Sequence, residues 1–191
     1  MKDRVLEIFE KTSVLLEGHF LLTSGKHSGQ YLQCAQVLQY PKYTEELCRM
    51  LVEPYKDKGV ELVVGPAMGG IIIAYEAARN LGCRAVFAER ENGKMTLRRG
   101  FEVSKGEKVL IVEDVITTGG SVKEVIDLTL QEGADVLGVS CLVDRSEGKA
   151  DLGMPFAGLI SFNIETYSPQ NCPLCQKGVP VAKPGSRKSH E

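Results

Sequence analysis

No stretch of this 191-residue sequence approaches the ~18 apolar residues that a membrane-spanning helix needs, which argues against a membrane span. The amino-terminal run Met1-Lys-Asp-Arg-Val-Leu-Glu-Ile-Phe-Glu10 lacks the long apolar core of a signal peptide and reads as the start of a charged amphipathic helix. Neither sign of charge is in excess. The 23 Lys and Arg against 25 Asp and Glu leave a net charge of −2, with no basic footprint for a nucleic acid. Repeats and low-complexity blocks are absent as well. What remains, 43% hydrophobic and 25% charged residues, suits one globular domain with small additions, expected in the cytoplasm.

Cysteine is not scarce, but its arrangement matters more than its number. Cys34, Cys48, Cys83 and Cys141 stand among apolar neighbours and read as small buried hydrophobes in a reducing compartment. Cys172-Pro-Leu-Cys175 has the C-x-x-C spacing of a zinc clamp or a redox pair. A structural zinc takes four ligands, and no second cysteine pair lies near in sequence, with His190 the one close histidine. The expectation is therefore a packed turn with free thiols. Zinc bound within one chain, a metal shared between two copies and an oxidised pair are the alternatives.

Helical patterning covers residues 3–12 and 43–57, and Gly18 to Gln39 suggests short strands between Ser-Gly turns. Strand-helix steps then follow: Val60–Val64 with an apolar helix from Ile71 to Leu81, Arg84–Ala88, Val109–Val112, Val136–Val143 and Leu159–Ile164. Such alternation predicts an α/β fold with a central parallel sheet flanked by helices. Ligands bind outside the carboxyl ends of the strands in such sheets. Gly65–Gly70, Glu89–Arg90, Glu113–Ser121 and Asp144–Arg145 all fall at such ends and should converge on one crevice. Between two of the strands, Asn92-Gly93 is a strong hairpin signal, and Arg90, Lys94, Arg98 and Arg99 make that excursion basic. After Tyr167 the chain reads as an irregular tail, frayed beyond Pro184.

The densest signal is Lys108-Val-Leu-Ile-Val-Glu-Asp-Val-Ile-Thr-Thr-Gly-Gly-Ser-Val122. Val109 to Val112 reads as a strand buried on both faces, ending at Glu113 and Asp114. Thr117, Thr118, Gly119, Gly120 and Ser121 then open a helix, whose unpaired N–H groups and positive dipole end suit a phosphate. The acid pair repels a phosphate and suits hydroxyls or a divalent cation instead. A phosphorylated sugar carrying a pyrophosphate satisfies both halves. The string matches neither the P-loop, which needs Lys after its second Gly, nor the dinucleotide fingerprint.

This string looks like the loop that binds phosphoribosyl pyrophosphate (PRPP) in the type I phosphoribosyltransferases. To about residue 167 the chain resembles the orotate phosphoribosyltransferase family. Three further segments carry that likeness: Gly18-His-Phe-Leu-Leu-Thr-Ser-Gly-Lys-His-Ser28 with Tyr31-Leu32, the loop Arg90 to Lys94, and Asp144-Arg145. The resemblance implies a phosphoribosyltransferase domain over 1–167, with hood elements at about 1–40, a flexible hairpin flap at about 89–103, and a tail at 168–191. It implies transfer of ribose 5-phosphate from PRPP to orotate, releasing pyrophosphate and forming orotidine 5′-monophosphate. Glu113, Asp114, Val115, Ile116, Thr117, Thr118, Gly119, Gly120 and Ser121 would then hold PRPP, with Met68, Gly69, Arg90 and Lys94 toward the pyrophosphate. Thr117, Arg145, Tyr31 and Leu32 would hold orotate, with Arg145 on its carboxylate. Lys94, Arg90 and Asp114 are the candidate catalytic groups. Mg²⁺ is the implied cofactor, carried mainly by PRPP with Asp114 as the candidate protein contact. The partners implied are the two substrates and a second copy of the chain whose site the flap covers, with no nucleic acid and no membrane.

Four cationic positions of the family pattern are vacant: Thr23, Gly69, Glu91 and Thr96 stand where three lysines and a histidine are expected. Lys26, His27, Arg98 and Arg99 are the candidates to compensate. Two other readings stay open on sequence grounds. One is a phosphoribosyltransferase with a purine or other base as acceptor, and the other is a PRPP-sensing regulator that binds nucleic acid.

Overall fold

A computed structural model describes residues 1–22 and 24–184. The first helix, α1 (Lys2–Lys11), buries Val5, Ile8 and Phe9, a spacing that puts all three on one face. An antiparallel hairpin follows, β1 (Leu15–Leu21) and β2 (His27–Leu32). The short α2 (Ala35–Leu38) leads into α3 (Pro41–Val52), where Pro41 sits in the first turn and gives up no helical hydrogen bond. The helix expected over 43–57 stops at Val52, because Pro54 lacks the N–H an α-helix would use, and Glu53–Tyr55 continues as a 3-10 turn.

The α/β series runs β3 (Leu62–Pro66), α4 (Gly69–Leu81), β4 (Arg84–Glu91), β5 (Lys94–Leu97), β6 (Lys108–Ile116), α5 (Gly120–Gln131), β7 (Asp135–Asp144) and β8 (Phe156–Ser161). Six of these strands form one sheet in the order β5-β4-β3-β6-β7-β8. Pairing is parallel throughout except between β4 and β5. Along β6, Leu110 and Val112 join the core under α3 and α4, while Val109 and Ile111 face the core that includes Val122, Val125 and Ile126 of α5. Both faces of this strand are covered, as its unbroken apolar run requires. The β4–β5 turn is Asn92-Gly93, with φ of 51° and 82°. Two left-handed residues in a row match the right-handed twist of a two-residue hairpin. The base of the expected flap is thus an antiparallel edge of the main sheet.

Two expectations need correction. The acid pair lies inside a strand, not at its end: β6 stays paired with β7 through Glu113↔Cys141, Val115↔Val143 and Ile116↔Asp144. The backbone ladder of β7 carries the strand past the point where its side chains turn polar. The stretch after Tyr167 is not simply irregular. It holds a 3-10 turn (Pro169–Asn171) and α6 (Pro173–Gln176), and it bridges back to the hairpin at His27↔Tyr167 and Phe20↔Ala182. The fraying expected beyond Pro184, and His190 with it, fall outside the described residues. Among the described residues, no helix is long and apolar enough to cross a membrane.

Candidate active site

The β6–α5 junction builds the first wall of the crevice. Gly119 is left-handed at φ 79°, and a Cβ there would lie 2.5 Å from Cδ2 of Leu152, so both conformation and space demand glycine. That turn lets α5 start at Gly120, with its first turn lining a cavity of about 400 Å³. The cavity is lined by Glu113 through Ser121, by Met68 and Gly69, and by Arg90, so every residue expected to hold PRPP lines it except Lys94. Ala67, Val122 and Glu124 complete it.

Asp114 is fixed by its neighbours. Its Oδ1 accepts the Val115 N–H at 2.7 Å, and its own N–H donates to Oε1 of Glu113 at 3.0 Å. The turn before α4 presses against it: a Cβ on Gly69 would stand 2.2 Å from the Asp114 Oδ2. This explains why the lysine of the family pattern has no place at Gly69. Any side chain there would have to push the Asp114 carboxylate aside. Gly65 and Gly70 are equally constrained, since a Cβ on Gly65 would meet the Gly70 carbonyl oxygen at 2.3 Å.

A second cavity, about 760 Å³, adjoins the first and shares Asp114, Val115, Thr117 and Thr118 with it. Its other walls come from distant segments: Leu21, Leu22, Ser24 and Lys26 near the hairpin tip, Tyr31 to Cys34, Arg145, Thr166 and Pro184. Arg145 is half-buried, and its buried Nε finds no hydrogen-bond partner among the described residues. Desolvation pulls the pKa of this guanidinium down, which marks an environment that favours an anionic partner. Its backbone N–H donates to the Ile116 carbonyl at 2.8 Å. The loop is held from the other side by Asp144, whose carboxylate accepts from the Ser146 N–H and Oγ and the Gly148 N–H, each at 2.7 Å. Asp144 is thus a positioning residue that the sequence did not single out as one.

The arginines of the expected flap are paired with glutamates. Arg90 forms a two-pronged pair with Glu124 at 2.6 and 2.9 Å and donates to the Gly93 carbonyl at 2.7 Å. Arg98 pairs with Glu91 at 3.2 Å and Arg99 with Glu89 at 2.9 Å. Lys94 opens β5, is exposed, and lines neither cavity. His27 cannot serve as a compensating cation. It is buried, with Nδ1 3.3 Å from the sulfur of Cys175, and lines neither cavity. Thr23 lies outside the described residues. Lys26 alone of the four candidates lines a cavity, the larger one.

A crevice at the carboxyl ends of parallel strands, with a hydroxyl- and glycine-rich helix start beside an acid pair, has the chemistry that suits a sugar phosphate. The chain belongs to the phosphoribosyl transferase family, whose domain model matches residues 35–169. Within it the chain stands with the orotate phosphoribosyltransferases. It is 59% identical over 187 residues to the orotate phosphoribosyltransferase of Caldanaerobacter subterraneus subsp. tengcongensis, covering 98% of each chain. To that of Thermotoga maritima it is 55% identical, covering 96% of this chain and 98% of the relative. The fold is similar to the crystal structure of orotate phosphoribosyltransferase from Aeropyrum pernix, with TM-score 0.71 at 24% identity, 83% of this chain and 93% of that one. It is also similar to an adenine phosphoribosyltransferase from Rhodothermus marinus, with TM-score 0.59 at 23% identity over 70% of this chain and 87% of that one.

Proposed function

We infer that the protein transfers ribose 5-phosphate from PRPP to orotate, giving orotidine 5′-monophosphate and pyrophosphate, a step of pyrimidine nucleotide synthesis. The observation that carries this is the near full-length identity to proteins of that name. The geometry agrees with it, since a phosphate cradle and a pocket holding a half-buried arginine share the floor Asp114–Thr118. In this reading the helix start at Gly120 takes the 5′-phosphate, and Glu113 and Asp114 accept from the ribose hydroxyls. Arg145 takes the orotate carboxylate, its planar fork matching two oxygens at once. The bond from the ribose anomeric carbon to pyrophosphate breaks as the bond to N1 of orotate forms. Catalysis is then positioning plus stabilisation of the charge that develops on the leaving group.

The donor set fits a magnesium ion held mostly by its substrate: Asp114 offers one half-buried carboxylate, and the ion would bring charge neutralisation to the pyrophosphate. Lys94, and Arg90 after release from Glu124, are the cations we assign to the leaving group. Met68, Ile72 and Tyr75 are 74%, 47% and 67% exposed along one side of α4 beside the site. An apolar stripe of that kind supports a homodimer, in which the flap of each copy would reach the neighbouring site. Buried free thiols at Cys34, Cys48 and Cys141 fit the reducing cytoplasm. Spectrophotometric loss of orotate with PRPP and Mg²⁺ tests the reading. Turnover of a purine base in place of orotate would overturn it, as would PRPP binding with no turnover of any base.

A further inference from the structure

The two halves of one cluster stand about 150 residues apart in the chain and meet behind the hairpin. His19 of β1 and His27 of β2 face Cys172, the residue that caps α6, and Cys175 within it. The ligand atoms of all four lie within 4.8 Å of one another. The His19 Nε2 is 2.8 Å from Nδ1 of His27, 3.5 Å from the Cys172 sulfur and 3.7 Å from the Cys175 sulfur; the His27 Nδ1 is 3.3 Å from the Cys175 sulfur. A tetrahedral ion with bonds of about 2.0–2.1 Å to nitrogen and 2.3 Å to sulfur sets its ligands roughly 3.3–3.8 Å apart. The three nitrogen–sulfur distances, at 3.3, 3.5 and 3.7 Å, fall within that range, and the distance between the two nitrogens, at 2.8 Å, is shorter than it. Among the described residues the cluster is the one group of this kind.

We propose that His19, His27, Cys172 and Cys175 bind a structural zinc ion that clamps the amino-terminal hairpin to the carboxyl-terminal segment.

Three observations support it beyond proximity. The Nδ1 of His19 lies 2.7 Å from the Val179 carbonyl. A carbonyl can only accept, so Nδ1 carries the proton and the Nε2 lone pair points into the cluster. A backbone carbonyl fixing the tautomer from behind is the usual outer partner of a metal-bound histidine. Burial is the second observation: His19, His27 and Cys172 are 2%, 8% and 0% exposed, while Cys175 is open to solvent and gives the ion a way in. Charge is the third. Two thiolates and two neutral imidazoles cancel the charge of the ion, so the buried complex is neutral; binding releases the two thiol protons to water and moves the His27 ring proton to Nε2. Two sulfurs and two nitrogens in a tetrahedron select zinc over magnesium or calcium.

The test uses the full chain, purified under reducing conditions with zinc supplied and then desalted. Elemental mass spectrometry should find about one zinc per chain. Cobalt(II) in its place should give thiolate charge-transfer bands and the visible bands of a tetrahedral ion. Cys175→Ala, at the exposed ligand, should lower metal content at least tenfold and abolish the cobalt spectrum while circular dichroism keeps the fold. Cys83→Ser, outside the cluster, should change neither. Chelation of the unaltered protein should lower its melting temperature and expose two more titratable thiols, which keeps the test valid if a variant fails to fold. Wild-type chain that takes up less than about a tenth of an equivalent with its thiols reduced would overturn the proposal. So would zinc retained by Cys172→Ala/Cys175→Ala, or a Cys172–Cys175 disulfide that binds no zinc after reduction.

Discussion

The phosphate cradle draws most of its lining from the single run Glu113 to Val122, whereas the adjoining base pocket collects residues from the hairpin, from β6, from the turn after β7 and from the carboxyl-terminal segment. The first is set by local backbone geometry: a strand held on both sides, a left-handed Gly119 and a helix start. The second exists only once distant segments have packed. A contiguous site should therefore fail through chemistry at single residues. An assembled one should also fail through anything that loosens its walls.

The largest effect should come from a flap cation that lines neither cavity, Lys94. Lys94→Ala should lower turnover by ~100- to 1000-fold, the usual cost of removing a group that meets charge developing in the transition state, and leave PRPP affinity nearly intact. Because Lys94 lines neither cavity of its own chain, mixing Lys94→Ala subunits with Asp114→Asn subunits should raise activity in hybrid dimers above that of either variant alone. No recovery after verified subunit exchange would mean that each flap closes over its own site, or that another group supplies the charge.

Within the cradle, Asp114→Asn should weaken PRPP binding or turnover by ~10- to 100-fold, the value of a buried contact between a charge and a hydroxyl. Gly69→Ala is the sharper probe. Its Cβ would fall 2.2 Å from the Asp114 carboxylate, so it should reproduce the Asp114→Asn defect by displacing the carboxylate rather than by removing its charge. Wild-type PRPP kinetics in Gly69→Ala would show that Asp114 can move without loss, and would remove it from the ribose hydroxyls.

The same contrast decides what could be read without a structure. The cradle was legible because its residues are consecutive and each has a physical role: apolar run, acid pair, hydroxyls, glycines. The parallel sheet was legible from alternation alone, and Asn92-Gly93 announced the β4–β5 turn; the strand ends were not, since β6 runs on through Glu113 and Asp114 and β4 through Glu89 and Arg90, carried by their neighbours' backbone ladders. Only the cysteine half of the zinc-type cluster was legible, in its C-x-x-C spacing; its histidines were not, because His19 and His27 meet Cys172 and Cys175 across most of the chain, and His190, near in sequence, drew attention instead. Nor could the sequence reveal that Glu124 occupies Arg90, that Asp144 pins the Arg145 loop, or that Asp114 fills the space a side chain at position 69 would need. Those are packing facts, set by neighbours with no sequence signature.

In the assembled pocket, Arg145→Ala should raise KM for orotate about tenfold or more and leave KM for PRPP unchanged, since a charge-assisted hydrogen bond is worth about 1.5–3 kcal/mol. Lysine should not restore it, because a point charge does not reproduce the guanidinium fork. An equal rise in both constants would place Arg145 on PRPP or make it structural.

The smallest effect lies where the two regions are joined to the flap. Arg90 and Glu124 are each 40% exposed and form a pair at 2.6 Å on the rim of the cradle. An exposed pair of this kind contributes ~0.2–1 kcal/mol, so Glu124→Gln should leave stability almost unchanged. If Arg90 must leave Glu124 to reach the pyrophosphate, that same small energy opposes PRPP binding in the wild type. Glu124→Gln should then lower KM for PRPP by at most about fivefold, and the gain should shrink as salt screens the pair. The sign is the informative part. A KM that rises instead would mean that Glu124 holds Arg90 in its working position, which would make the flap base part of the preformed cradle.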